Sequence, residues 1–279
     1  MTPLLFTLLT FFVSILAGAL GSLLGLGGGI IIVPFLTLVM KIDVHYAIGA
    51  SLISVIATSS GAAAVYVRDR MTNMRVAMFL EIATTAGALT GAYLAGVIPV
   101  RGLFVVFGLM LGYSAVAMVF KRHGHDAKPV PPDAIADYLR MHDSFHDVAS
   151  GGQVAYRVTR TKLGFFLMYM AGAVSGLLGI GSGALKVPAM DLAMGLPIKV
   201  STATSNFMIG VTAAASAGVY FARGEIDPFI TAPVVTGVLI GSTLGSHVLG
   251  RINSAWLRGI FVAVLVWISG EMLFKGIHG

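Results

Sequence analysis

Long apolar stretches recur along almost the whole chain, from Pro3 to Phe274, and only short polar breaks separate them. A helix that crosses the hydrocarbon core of a bilayer needs about 20 mostly apolar residues. Only 11% of the 279 residues are charged, against about 25% in a typical soluble domain. The apolar runs are continuous rather than alternating, which argues against a transmembrane β-barrel. The sequence therefore predicts an all-α integral membrane protein that crosses the bilayer several times.

The chain contains an internal repeat. Residues 17–34, AGALGSLLGLGGGIIIVP, match residues 171–188, AGAVSGLLGIGSGALKVP, at a constant offset of 154 residues. The same offset continues without a gap and pairs Ser51 with Ser205 and, later, Gly87 with Gly241. Self-similarity over this length indicates duplicated folding units. We predict an N-terminal membrane repeat at 1–120, a cytoplasmic connector at 121–162 and a C-terminal membrane repeat at 163–279.

Each half divides into five apolar segments, of which the second is short. In the first half they cover residues 3–24, 28–40, 46–66, 76–97 and 102–120. In the second half they cover residues 163–180, 183–195, 201–221, 229–250 and 255–274. Because five is an odd number, the second half is expected to enter the membrane from the opposite side. The prediction is a pair of inverted repeats, a plan that recurs in secondary transporters.

Lysine and arginine residues are concentrated in the loops between the apolar segments. Cytoplasmic loops carry an excess of these residues, so the loop with Arg68 and Arg75 and the connector that begins at Lys121 are predicted to be cytoplasmic. The segment around Arg223 then lies outside. The assignment also holds if the first two segments of a half form a half-depth hairpin instead of two crossings. The net charge of +6 is therefore a topology signal, and no nucleic-acid partner is expected.

The connector is the one part of the chain with the composition of a soluble segment. Its sequence predicts a short helix around residues 134–148, on which His142 and His146 have the spacing that can hold a metal ion. No set of four ligands accompanies them, so we interpret them as residues of a solvated helix with local Asp–His contacts. A docking or scaffolding role for the connector stays open.

A glycine-rich break joins the first and second segments of each half. Glycine adopts backbone conformations forbidden to other residues, so a helix can end there and a short half-helix can begin near the middle of the membrane. Helix N-termini carry free N–H donors and partial positive charge, which suits an anion. The alternative is that the glycines only permit close packing. The predicted substrate-binding residues of the breaks are Gly27, Gly28, Gly29, Gly181, Ser182 and Gly183.

Lys186 follows the second break, at a position where the first half has Ile32. An ionisable residue inside a membrane is costly and usually lines a substrate or ion path, although a long side chain can also reach an interface. An ammonium there could balance the charge of a bound anion. Ser51, Ser205 and Asn206 open the third segments, close in sequence to the short helices, and are predicted as further substrate contacts. The other titratable residues of the apolar segments, none of them singled out, are Glu81, Asp191, His247 and Glu271.

Motifs of soluble catalysis are missing from the sequence. There is no GxSxG, HExxH or Walker motif, no dinucleotide-binding fingerprint follows a soluble strand, and there is no cysteine. The chain is therefore not expected to be an enzyme, to hold a metal or cofactor, or to be driven by ATP. An ion gradient, the gradient of the substrate or the membrane potential would supply the energy for transport.

The two motifs GLGGGIIIVPFL (residues 25–36) and GLLGIGSGALKVPAM (residues 176–190) resemble those of the TauE/SafE family of sulfite and sulfonate exporters. The resemblance covers nearly the whole chain. It implies a multi-pass carrier of a bacterial-type inner membrane for sulfite, sulfoacetate or other organosulfonates. The second motif differs from the first at Ser182, which occupies the position of Gly28 in the first half. The motif glycines carried over are Gly25, Gly27, Gly28, Gly29, Gly179, Gly181 and Gly183.

Together these observations favour a secondary transporter that binds a small anion between the two breaks and works by alternating access. The alternatives are an uncoupled anion channel, and a membrane enzyme or scaffold that acts through the connector. The expected partners are the anion and the lipid bilayer. A homodimer is also compatible with the sequence, because Gly87 with Gly91 and Gly241 with Gly245 fit a helix-packing pattern of small residues, although these glycines could equally pack inside one chain.

Overall fold

The computed structural model describes residues 3–95, 99–120, 132–147, 151–179, 181–249 and 254–278. The helices of the first half are α1 (Pro3–Leu24), α2 (Gly29–Pro34), α3 (Val44–Arg68), α4 (Met74–Leu94) and α5 (Val100–Phe120). The connector holds α6 (Ala134–Tyr138), β1 (Asp143–Asp147) and β2 (Gly152–Tyr156). The second half has α7 (Thr161–Leu178), α8 (Gly183–Pro188), α9 (Ile198–Ala222), α10 (Pro228–Leu249) and α11 (Ser254–His278). The ends of the long helices lie within four residues of the predicted segments, whereas α2 and α8 end six and seven residues before the predicted ends.

The helices have the length and the surface of membrane helices. Five of those described, α1, α3, α4, α7 and α10, are long and apolar enough to cross a bilayer. Large apolar side chains such as Leu16, Ile82 and Phe229 are exposed on the outside of the bundle. A soluble protein rarely exposes so much contiguous apolar surface. The chain is therefore a multi-pass membrane protein, as the sequence predicts.

Contacts between the two halves follow the repeat. Helix α1 packs along α10 and α4 packs along α7, while α3 and α9 meet in the centre and α5 meets α11. Gly87 has no room for a Cβ because the carbonyl oxygen of Tyr169 lies against it, and Gly241 lies in the same way against the carbonyl of Ile15. The offset of 154 residues relates these two contacts. From the sequence, Gly87 and Gly241 could have formed either a dimer interface or contacts within one chain. In the structure they pack helices within one chain.

Each short helix continues into a π-helical turn, Phe35–Val39 after α2 and Ala189–Ala193 after α8. Pro34 and Pro188 occupy the last positions of the short helices. Proline has no N–H to donate and so disturbs the hydrogen-bond ladder at these points. After the second turn the carbonyl of Met194 accepts a hydrogen bond from the Thr159 amide at 3.0 Å. The chain thereby returns to the end of the bundle from which α7 starts, as in the hairpin alternative.

The prediction of a helix over residues 134–148 is wrong beyond Tyr138. Residues Asp143–Asp147 form a strand that pairs antiparallel with Gly152–Tyr156, so the fold is not purely α-helical. Phe145 is buried while its two neighbours are exposed, and a paired strand with one buried face overrides the local helix preference. His142 and His146 therefore do not share a helical turn. At about 3.3 Å per residue, positions four apart in extended chain lie about 13 Å apart, too far for one metal ion. The Nε2 of His142 instead contacts Asp137 at 2.7 Å. This is a local Asp–His contact of the kind expected from the sequence.

The connector is held against the ends of the membrane helices by polar contacts. Asn73 donates from Nδ2 to the Met141 carbonyl at 2.8 Å and to the Tyr156 hydroxyl at 2.9 Å. Burial raises the pKa of Tyr156 to about 12. The Nζ of Lys199, at the start of α9, donates to Asp147 on β1 at 2.6 Å. These contacts tie the hairpin to α4 and α9.

The first helix of the connector is tied to α7 through Asp133. Its carboxylate accepts hydrogen bonds from the amide and hydroxyl of Thr161, at 2.7 Å and 2.8 Å, and from two amides of α6. Burial raises the pKa of Asp133, but these hydrogen bonds lower it by more, so that the net pKa is below its usual value. The charged carboxylate therefore joins α6 to the first turn of α7.

Candidate functional site

The two glycine breaks have the same backbone conformation at equivalent positions. Gly25 and Gly179 have φ of 72° and 64°, and Gly27 and Gly181 have φ of 81° and 73°. Side chains with a Cβ rarely adopt these angles, which explains glycine at these four positions. The next pair differs, because Gly28 has a φ of 63° and Ser182 has a φ of −78°. The second break can therefore carry a serine where the first requires glycine.

The breaks lie directly against each other. Gly183 has no room for a Cβ because the carbonyl oxygen of Gly25 is in contact and the Cα of Leu26 lies 2.7 Å from the Cβ position. Gly181 likewise faces the Leu26 carbonyl. The structure thus brings the predicted glycines of both halves to one junction in the centre of the bundle. At Gly27 and Gly181 the side chain of Val55 covers the junction.

Ser51 and Ser205 each hold the break of the other half. The hydroxyl of Ser51 donates to the carbonyl of Gly179 at 2.7 Å, and the hydroxyl of Ser205 donates to the carbonyl of Gly25 at 2.9 Å. The two hydrogen bonds are equivalent under the repeat offset. Both serines are fully buried. They lie at the junction, and their hydroxyl protons join the two halves.

Two of the predicted residues at the junction have a buried polar atom that lacks a hydrogen-bond partner among the described residues. One is the hydroxyl oxygen of Ser182, which does not cap α8. The other is Oδ1 of Asn206, whose Nδ2 donates to the carbonyls of Ser22 and Thr202 at 2.6 Å and 3.2 Å. A buried polar atom without a partner costs about 1–3 kcal/mol. Both were predicted as substrate contacts, and both have free hydrogen-bonding capacity.

Lys186 is completely buried, and its ammonium reaches residues that the sequence did not single out. Nζ donates to the Thr212 hydroxyl at 2.7 Å and lies 3.7 Å from Oε2 of Glu81. The Thr212 hydroxyl donates in turn to Oε1 of Glu81 at 2.7 Å. Within the described residues the ammonium has no contact with Ser51, Ser205 or Asn206. The predicted lysine therefore belongs to a separate polar cluster beside the junction.

Glu81 is the functional candidate that sequence reasoning missed. It lies on α4 of the first half, and its only sequence signal was a carboxylate within an apolar segment. Thr85 also donates to its Oε1 at 3.0 Å, while Oε2 has no hydrogen bond among the described residues. Its side chain is 12% exposed. The ion pair therefore joins the first half, through Glu81, to the second half, through Lys186.

A small pocket, with room for about one water molecule, opens beside Gly28. Apolar side chains, such as those of Leu20, Leu24 and Ile31, line it. An anion needs hydrogen-bond donors or a cation in exchange for its hydration shell. The pocket therefore lacks the chemistry for an anion, in contrast to the cluster around Lys186.

Comparison with known proteins connects this architecture to membrane transport. The family model described as Sulfite exporter TauE/SafE matches residues 10–272. The probable membrane transporter protein YunE of Bacillus subtilis is 29% identical over 270 residues, covering 94% of this chain and 96% of that protein. A probable membrane transporter protein of Xylella fastidiosa is 26% identical, covering 93% and 92%. Sulfite exporter TauE/SafE family protein 3 of Arabidopsis thaliana is 31% identical over 129 residues, 46% of this chain and 26% of that protein. No solved structure matches the chain.

Proposed function

The chain belongs to the sulfite exporter TauE/SafE family of membrane transporters, and we propose that it carries small sulfur-containing anions by alternating access. Sulfite, sulfoacetate and other organosulfonates are the substrate class. The observation that carries the proposal is the buried ammonium of Lys186, whose counter-ion, Glu81, belongs to the other half of the bundle. A cation kept inside a membrane protein usually serves an ion or substrate path.

The two halves act as inverted repeats that rock against each other around the junction. The proposal is supported by contacts that occur twice, once from each half to the other. An example is the pair of hydrogen bonds that Ser51 and Ser205 each donate to the break of the opposite half. Breaks and short helices at the junction are typical of carriers in which the substrate lies near the middle of the membrane. A movement that separates the halves would open the junction first on one side and then on the other.

The substrate anion binds beside Lys186, with Ser182 and Asn206 as further contacts. The hydroxyl of Ser182 is buried without a hydrogen-bond partner among the described residues and can donate to an anion oxygen. Asn206 can offer its Nδ2 if the bond to Thr202 gives way, since that bond is long at 3.2 Å. Ser51, Ser205 and the glycines Gly27, Gly28, Gly29, Gly181 and Gly183 shape the backbone on which these groups stand.

In the cell the protein lies in a bacterial-type inner membrane, with the connector at 121–162 in the cytoplasm. The membrane repeats are residues 1–120 and 163–279. The arginines of the loop between α3 and α4 support this orientation, and Asn73 in that loop contacts the connector. Both regions therefore lie on one side of the membrane. A homodimer would use surfaces other than Gly87 and Gly241, because these glycines pack within the chain.

Counterflow in proteoliposomes tests the proposal. Vesicles loaded with an excess of unlabelled sulfite or sulfoacetate are diluted into the labelled anion, with sulfate and chloride as competitors. With the membrane potential clamped at zero, a carrier produces a transient accumulation of label because loaded binding sites exchange across the membrane. Under the same clamp a channel only lets the label equilibrate. We expect accumulation with the sulfur anions, which an excess of chloride does not abolish.

Lys186→Ala should reduce the exchange at least tenfold, because the bound anion loses its counter-charge. Lys275→Ala is the matched control. Lys275 is also a lysine in an apolar helix, but it is only partly buried and contacts Thr37 at 3.1 Å. Equal loss in both variants would remove Lys186 from the binding site. Absence of counterflow with every sulfur anion would contradict the carrier proposal.

A further inference from the structure

The ion pair between Lys186 and Glu81 is electrically neutral in the described arrangement. Nζ of Lys186 lies 3.7 Å from Oε2 of Glu81, and the lysine side chain is fully buried. The hydroxyls of Thr212 and Thr85 hold the other carboxylate oxygen, Oε1, at 2.7 Å and 3.0 Å. The carboxylate is thus fixed at one oxygen, while the oxygen that faces the ammonium accepts no hydrogen bond among the described residues.

A substrate anion beside Lys186 would upset this charge balance. Two negative charges would then face one positive charge in a region of low dielectric constant, where an unbalanced charge is costly. In proteins such a group usually becomes neutral instead of staying ionised. A sulfonate is too weak a base to take up a proton, whereas a carboxylate can. We infer that Glu81 takes up a proton at Oε2 when an anion engages Lys186, so that each anion crosses the membrane with one proton.

The position of Glu81 suits this exchange of protons. Its side chain is 12% exposed while that of Lys186 is 0% exposed. Oε2 itself is buried in the described arrangement, so its proton enters and leaves when the halves separate. Within the described residues, Lys186 is the ionisable group in contact with it. Two tyrosines lie on the helices packed against α4, and both have partners other than Glu81. The hydroxyl of Tyr169 contacts the hydroxyl of Thr90, and the hydroxyl of Tyr220 donates to the carbonyl of Gly176.

The lysines and arginines on α4, α7 and α9 also have contacts or positions away from Glu81. Lys199 at the start of α9 donates to Asp147 of the connector, and Arg223 at the far end of α9 donates to the carbonyl of Tyr93. Lys162, in the first turn of α7, is exposed. On α4 itself, Arg75 donates to the carbonyl of Arg140. The protonation of Glu81 therefore depends on Lys186 and on the anion that Lys186 binds.

The charge states define the cycle, which rests on the proposed function. The empty site holds a cation and a carboxylate and is neutral. The loaded site holds the cation, the monovalent anion and a protonated Glu81, and is again neutral. Loading without the proton leaves one negative charge, which is expensive to move through the membrane. On release of the anion, the proton leaves Oε2 to the same side and the carboxylate pairs with Lys186 again. Anion and proton therefore move in the same direction.

Glu81→Gln separates the two steps, because glutamine has the shape and neutrality of the protonated acid. The loaded form of this variant remains neutral, so counterflow should persist. The empty form has a cation without its carboxylate, so net uptake driven by a pH gradient should be lost. The probes are labelled methanesulfonate and isethionate, whose single charge does not change near neutral pH. Sulfite under mildly acidic conditions, where it is mainly the monovalent hydrogensulfite ion, replaces them if neither sulfonate exchanges.

With the membrane potential clamped at zero, the wild-type protein should accumulate a monovalent sulfonate about tenfold per unit of pH gradient. In Glu81→Gln this dependence should vanish. Glu271→Gln is the matched control, since Glu271 is also a carboxylate in an apolar helix, four residues before Lys275. Its uptake should follow the pH gradient as the wild type does.

Persistence of pH-driven uptake in Glu81→Gln, or indifference of the wild type to the gradient while counterflow is intact, would overturn the coupling and leave the carrier proposal standing. Absence of counterflow with every probe would overturn both. If Glu81→Gln does not fold, proton uptake by the wild-type protein in weakly buffered detergent replaces it. A pH indicator should report about one proton taken up per bound sulfonate, and no uptake on binding would refute the inference.

Discussion

Substitution of Gly183 by alanine tests whether the two glycine breaks depend on direct backbone contact. The added Cβ would point at the carbonyl oxygen of Gly25 and lie 2.7 Å from the Cα of Leu26. Both obstacles are backbone atoms, which cannot move away by changing a rotamer. The two breaks would therefore have to separate by about 1 Å or more.

The expected cost follows from the kind of contact. Insertion of an extra carbon into a tightly packed site typically costs about 1–3 kcal/mol. Gly183→Ala should fall at the upper end, about 3 kcal/mol, because backbone must shift in both halves of the bundle. The intrinsic preference of alanine for helices recovers at most about 1 kcal/mol of this.

Gly218→Ala is the matched control. Gly218 lies on an exposed face of α9, and a Cβ there meets no atom within 4 Å. This variant should be neutral or stabilised by up to about 1 kcal/mol through helix propensity alone. The free energies of unfolding are compared in mixed micelles, by titration with a denaturing detergent and circular dichroism. Equal stability of the two alanine variants would refute the close contact of the breaks.

Four further substitutions test the contacts that join the parts of the chain. Ser51→Ala and Ser205→Ala should each lower the unfolding free energy by about 1 kcal/mol through loss of a buried hydrogen bond, whereas Ser60→Ala, at an exposed site, should have no measurable effect in the same micelle assay. Asp133→Asn should speed amide exchange in α6 at neutral pH, by loss of charged hydrogen bonds. The folded-state pKa of Asp133 is lowered, so the charged carboxylate stabilises the fold fully above the unfolded-state pKa of about 4. This stabilisation is lost as the pH falls through the lower folded-state pKa. Wild type and variant should therefore exchange at the same rate in acid. Asp147→Asn should weaken the buried contact with α9 and speed exchange in the hairpin at least about tenfold, measured by mass spectrometry.

Much of the architecture could be read from the sequence because the membrane restricts the choices. A continuous apolar run can only become a helix in lipid, so the segment limits agree with the structure to within a few residues. The repeat offset also aligned the glycines of the two breaks. The φ values of Gly27 and Gly181 agree, whereas those of Gly28 and Ser182 differ. Local composition and duplication are enough for these features, since neither depends on which helices become neighbours.

The connector and the partner of Lys186 could not be read in the same way. The strand at Asp143–Asp147 depends on pairing with Gly152–Tyr156 and on burial of Phe145 against the helix ends. Glu81 comes beside Lys186 because α4 and α8 both pack on α9. Both outcomes are decided by contacts between distant residues, which the pattern of apolar residues leaves open.

The duplicated scaffold offers two equivalent positions for an ion pair, but the chain uses one. Under the repeat offset, Lys186 corresponds to Ile32 and Glu81 to Val235. Ile32 belongs to an apolar cluster that includes Val238, and Thr58, the counterpart of Thr212, donates to its own helix instead of to a carboxylate. The backbone of the junction is thus nearly symmetric while its charge lies entirely on one side. Since a bound anion needs a counter-charge, one chain should bind one anion at a time, on the side of the junction that carries the lysine.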